Sequence, residues 1–100
     1  MQAFIQSNLP EINKLMRQYG VKDAYLFGSA AKDNMHAESD IDFLISFPAE
    51  MDYETYANNY FALLYALQTL LKRDVELTAS ETITNPYLLH EINRTKIALY

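Results

Sequence analysis

One hundred residues suffice for one domain, 1–100, with a modest core, and the half of them that are hydrophobic exclude a disordered chain. A formal net charge of −5, with only eight Lys and Arg, argues against broad nucleic-acid binding, which needs a basic face. There is no Cys, so no disulfide framework or thiolate metal site is available, and a reducing, cytoplasmic setting fits most easily.

Met1–Ser7 lacks the basic segment and long apolar run of a signal peptide, and no later stretch is long enough to cross a bilayer. The first helix is expected over Pro10–Tyr19. Pro10 suits a first turn, Glu11 suits the positive end, and Ile12, Leu15, Met16 and Tyr19 recur at helical spacing. Residues 2–8 can add an earlier turn, and Gly20 is placed to cap the C-terminus. Val21–Phe27 reads as a strand, Ser29–Lys32 as a short helix, and residues 33–39 as a loop. Ile41–Phe47 reads as a second strand closed by Pro48.

Asp52 is a natural N-cap for a long helix over Tyr53–Leu71. Its apolar stripe holds Tyr56, Tyr60, Leu63, Leu67 and Leu70, widened by Ala57, Phe61, Leu64 and Leu71. Arg73–Thr78 is a third strand, with Val75 and Leu77 on one face and Asp74, Glu76 and Thr78 on the other. Asn85-Pro86 opens a last helix carrying Leu88, Leu89, Ile92 and Leu99. The order α-β-α-β-α-β-α predicts an α/β (α+β) fold, with helices packed on a small mixed sheet.

Two short elements carry chemistry. Gly28-Ser29 follows the first strand, and Asp40-Ile41-Asp42 opens the second after ten intervening residues. Gly28 allows a sharp turn and a close backbone approach, while Ser29 at a helix start offers N–H groups and a hydroxyl to an anion. Alone, Gly-Ser is more often an ordinary turn and cap. Asp40 and Asp42, two apart, leave one face of the strand, where a divalent cation would relieve their repulsion. Magnesium suits them, since it takes hard oxygen ligands and shares them with substrate phosphates. Alone, Asp-x-Asp can be a solvated strand start, but Asp is disfavoured in strands and here interrupts an apolar run. A third carboxylate is expected next door: Glu76, as general base or ligand to a second metal, with Asp74 as its competitor.

With Leu26-Phe27-Gly28-Ser29 and Ser39-Asp40-Ile41-Asp42-Phe43-Leu44-Ile45 in hand, the chain resembles the nucleotidyltransferase superfamily with the DNA polymerase β-like palm. At this size it is most similar to the minimal nucleotidyltransferases (MNT). The likeness covers nearly the whole chain, to a closing helix ending in Ile97-Ala98-Leu99-Tyr100. It implies that Gly28, Ser29 and Lys32 hold the triphosphate of ATP, and that Asp40, Asp42 and Glu76 hold Mg2+, two ions in all. It also implies transfer of AMP to a hydroxyl acceptor. In relatives of this size the partner is often a HEPN-type toxin, neutralised by an antitoxin that places AMP on a toxin tyrosine. Three positions depart from the family. Ala30-Ala31-Lys32-Asp33 replaces a segment like Arg-Ala-Arg-Gly, Glu76 stands where Asp is usual, and Thr95 stands where Glu is common. These departures keep an alternative open, a catalytically weak or inactive module that neutralises its partner by contact.

Other residues are read more plainly. His36 and His90 are expected on the surface, and Lys72-Arg73 as a helix C-terminal cap more than a phosphate clamp. The eight Tyr, four of them on the long helix, fit either core and edge packing or, as the sharper reading, an interface with a partner protein or a second copy.

Overall fold

A computed structural model describes residues 3–28 and 40–100. A short helix α1 (Ala3–Ser7) leads into α2 (Leu9–Gln18). The chain turns between them at Asn8, whose amide donates to Ile5 O and whose carbonyl accepts from Ile12 N, so residues 3–7 form a separate helix and not a first turn of α2. Helix α2 ends in a Schellman turn. Gly20, at φ +77°, donates to Arg17 O, and Val21 donates to Met16 O. Strands β1 (Asp23–Phe27) and β2 (Ile41–Ser46) follow, then α3 (Tyr53–Leu71), β3 (Val75–Ala79), a 3-10 turn (Ser80–Thr82), α4 (Pro86–Thr95) and β4 (Ile97–Ala98). No helix among the described residues is long and apolar enough to cross a membrane.

The strands form one mixed sheet in the order β3-β2-β1-β4. Strand β1 runs antiparallel to β2 and β4, whereas β2 and β3 are parallel and joined through α3. Alternation along the strands gives the sheet two unlike faces. Ala24 and Leu26, Ile41, Phe43 and Ile45, and Val75, Leu77 and Ala79 are buried on one of them. Ile5 of α1, Ile12 and Met16 of α2, and Leu63, Leu67 and Leu71 of α3 complete that core. The other face carries Phe27, Asp42 and Glu76 in one row and Tyr25, Leu44 and Thr78 in the next, as the strand registers dictate.

Asp52 caps α3 as expected: its carboxylate accepts from Thr55 N at 3.2 Å and from Thr55 Oγ1 at 2.6 Å. Phe61 departs from the expected stripe. It lies well round the helix from Leu63 and is 66 % exposed. The closing segment departs further. Helix α4 stops at Thr95, and Ile97–Ala98 is a strand paired with Leu26 and Tyr25. The Leu99 amide donates to Ala24 O at 2.8 Å, so the tail serves backbone groups that β1 would otherwise leave open. The apolar residues after Thr95 had continued the helical pattern in sequence, but an unpaired strand edge claims them.

Lys72 is the left-handed C-cap of α3, its amide donating to Gln68 O. Arg73 lies over the Phe4 ring, 5.1 Å from its centroid. Lys72 finishes the helix, in agreement with the plainer reading, whereas Arg73 reaches across to α1.

Candidate active site

The candidate site lies at one end of the sheet face that the core helices leave uncovered. Asp42 is the second residue of β2, and the parallel register sets it directly opposite Glu76 of β3. The antiparallel register sets Phe27 opposite Asp42 on the other side. Gly28 therefore follows β1 beside the Asp42 carboxylate. It has φ +64°, and a Cβ built there would fall on Asp42 Oδ2 and lie 3.3 Å from Cγ. Glycine is needed here twice over, for the left-handed backbone and for the space the carboxylate fills.

Asp42 is half-buried, and its pKa is pushed up to about 6. Burial is the main cause, followed by a hydrogen bond with the Glu76 carboxyl and by the charges of Glu76 and Asp40. Asp40, one residue before β2, is exposed and acts on Asp42 through its charge. The backbone of Asp74 is level with this end of β2, since Ile41 N donates to Asp74 O at 3.0 Å. Glu76 lies inside β3 opposite Asp42 and Asp74 just outside it, which favours Glu76 of the two. Among the described residues, no group of three acidic, His or Cys side chains is already drawn into a metal-holding arrangement. The donor chemistry nevertheless suits a hard divalent cation: two facing carboxylates, a third acid within electrostatic reach, and a raised pKa that a positive charge would reverse. Ser29, Lys32, the short helix expected from Ser29 and His36 lie outside the described residues.

One neighbour of the site was not singled out for it in sequence. The Tyr60 hydroxyl of α3 donates to Leu77 O, one residue beyond Glu76. Burial, and after it the Glu76 charge, raises the Tyr60 pKa and keeps that donor protonated. Helical spacing marked Tyr60 only as apolar stripe. Its approach to β3 depends on how α3 crosses the sheet, which no local pattern encodes.

A glycine turn thus lies against a carboxylate pair on adjacent strands of a small mixed sheet. The sequence matches the family described as polymerase beta, nucleotidyltransferase, over residues 10–100, and the chain belongs to that family. It is 33% identical over 97 residues to MJ1379 of Methanocaldococcus jannaschii, named as a protein adenylyltransferase, with 89% of this chain and 95% of that protein covered. Among solved structures, a toxin-antitoxin crystallised with AMP-PNP superposes with a TM-score of 0.74 at 25% identity, covering 93% of this chain and 73% of that one. The MNT antitoxin in complex with the tri-AMPylated HEPN toxin of Shewanella oneidensis shares the fold. It has a TM-score of 0.67 at 24% identity and covers 95% and 71% of the two chains. The expected fold class and enzyme class are thus both met.

Proposed function

We propose that this chain moves AMP from Mg·ATP to a hydroxyl of a partner protein, a tyrosine of a HEPN-type toxin, and so acts as the antitoxin of the pair. The facing carboxylates of Asp42 and Glu76, with Gly28 against the first, carry this reading. Asp40 and Asp42, joined by Glu76, would hold the magnesium, which when bound polarises the phosphate oxygens and offsets their charge. Gly28, Ser29 and Lys32 would hold the triphosphate. Glu76, on the outermost strand, takes the proton from the acceptor hydroxyl. The freed oxygen attacks the α-phosphorus, a new P–O bond forms, and the bond to the β-phosphate bridge breaks. Pyrophosphate leaves with the bonding electron pair.

Incubation of the purified chain with Mg2+, ATP and its partner protein tests the proposal. Mass spectrometry should find AMP on a partner tyrosine, and Asp40→Ala or Asp42→Ala should remove it. Labelling that persisted in both variants would place the chemistry elsewhere. The absence of the family's Arg residues, with Ala30-Ala31-Lys32-Asp33 in their place, favours a second reading, neutralisation by contact alone. The two separate on one measurement: Mg·ATP raises the melting temperature of a nucleotide-binding chain and leaves that of a pure contact module unchanged.

A further inference from the structure

The row of residues across the candidate site has a direction. Gly28 stands at the β1 end, Asp42 in the middle, and Glu76 on β3, the outermost strand. An in-line displacement keeps attacking and leaving oxygens on opposite sides of the phosphorus. With the triphosphate at Gly28, the acceptor arrives over the β3 edge. A groove of about 400 Å³ opens there, between the first half of α3 and the second half of β3, lined by Tyr53, Tyr56, Tyr60, Phe61, Leu77 and Thr82 among others. It begins at Leu77, on the face opposite Glu76, and reaches round the β3 edge to Thr78, which shares the face of Glu76. Tyr53 is 86 % and Phe61 66 % exposed, a large aromatic surface for so small a chain.

Acids rim the groove, although none among the described residues lines it. Asp52 and Glu54 flank Tyr53 in the chain, and burial, and after it the Glu81 carboxylate, raises the pKa of the Tyr56 hydroxyl. Among the described residues, no Lys or Arg lines it. Addition of a partner strand is disfavoured, because Leu77 O already accepts from Tyr60 and Ala79 O from Thr82 Oγ1 at 2.7 Å. We propose that this aromatic, acid-rimmed groove docks the acceptor-bearing segment of the partner protein, a basic segment that lays an apolar or aromatic side chain between Tyr53 and Phe61 and so brings its hydroxyl to Glu76. The proposal rests on the nucleotidyltransferase reading above and names the surface that selects its acceptor.

The test uses the full chain and two labelled peptides, one with a Tyr between Arg residues and one with the same Tyr between Glu residues. Fluorescence anisotropy reads binding, and the melting temperature with and without Mg·ATP is followed in parallel. The Arg peptide should bind, more weakly as salt rises, and the Glu peptide should not. Phe61→Ser should weaken the Arg peptide at least about tenfold, a loss expected when an anchor buried in the complex is removed, and Glu81→Gln should flatten the salt dependence of its binding. Both variants should keep the wild-type response to Mg·ATP. Failure of the Arg peptide to bind, equal binding of the two peptides, or wild-type affinity in Phe61→Ser overturns the groove. Absence of any Mg·ATP response in the wild type overturns the nucleotide reading instead, so the two failures are told apart.

Discussion

Gly28 and Asp42 occupy each other's space: the carboxylate fills the position where a side chain at residue 28 would begin. The turn after β1 and the acid of β2 are therefore one unit, and neither can change alone.

Gly28→Ala should destabilise the fold by about 1–2 kcal/mol from its left-handed backbone alone, and displacement of Asp42 adds to this. Urea unfolding monitored by circular dichroism measures the loss. AMP transfer should fall further than the stability change explains, because the added methyl group moves the carboxylate proposed to hold magnesium.

The raised pKa of Asp42, about 6 in the folded chain against 3.8 as its ordinary value, sets a pH dependence. Between those values the folded state binds more protons than the unfolded state, so stability falls as pH rises through the window and stays lower above it. In EDTA, wild type should therefore melt lower at pH 7.5 than Asp42→Asn, which carries no charge at this position, and the gap should close toward pH 4. Added Mg2+ should raise the wild-type melting temperature more at pH 7.5 than at pH 5 and leave Asp42→Asn nearly unmoved. A flat wild-type profile would contradict the paired geometry.

Glu76→Gln keeps the size and polarity of the side chain but cannot take a proton. For the proposed role of Glu76 as base, single-turnover AMP transfer should fall by about 10²–10⁴, the usual contribution of a positioned general base. With Asp42 freed from a facing charge, the EDTA melting temperature at pH 7.5 should rise. Activity and stability moving in opposite directions is the signature expected of this residue.

The closing strand has its own consequences. The Leu99 amide, bonded to Ala24 O, should exchange with solvent far more slowly than that of exposed Ala98 when followed by hydrogen–deuterium exchange. Leu99 is 8 % exposed, and Leu99→Ala should cost about 2–5 kcal/mol in urea unfolding.

Local rules made much of this molecule readable. The Asp52 cap, the periodic leucines of α3, the glycine ending α2 and the alternation of β3 each depend on near neighbours, and each is found where expected. Val75 and Leu77 turn inward and Glu76 outward because side chains alternate across any strand. Gly28 and Asp42 could likewise be singled out from the residue types themselves.

Long-range pairing decided the rest. That Asp42 faces Glu76, and not Asp74 or Thr78, follows from the register of two parallel strands joined through a helix of 19 residues. The Ile97–Ala98 run became a strand because the edge of β1 offered N–H and C=O groups some 70 positions upstream. The groove beside β3 lies where the first half of α3 meets the second half of β3 and leaves Tyr53 and Phe61 uncovered. Sequence by itself determined which chemical groups and helix or strand periods were present, since those depend on residue type and nearest neighbours. Only the tertiary structure decided which of those groups meet, because strand register and helix crossing are settled by contacts between segments far apart in the chain.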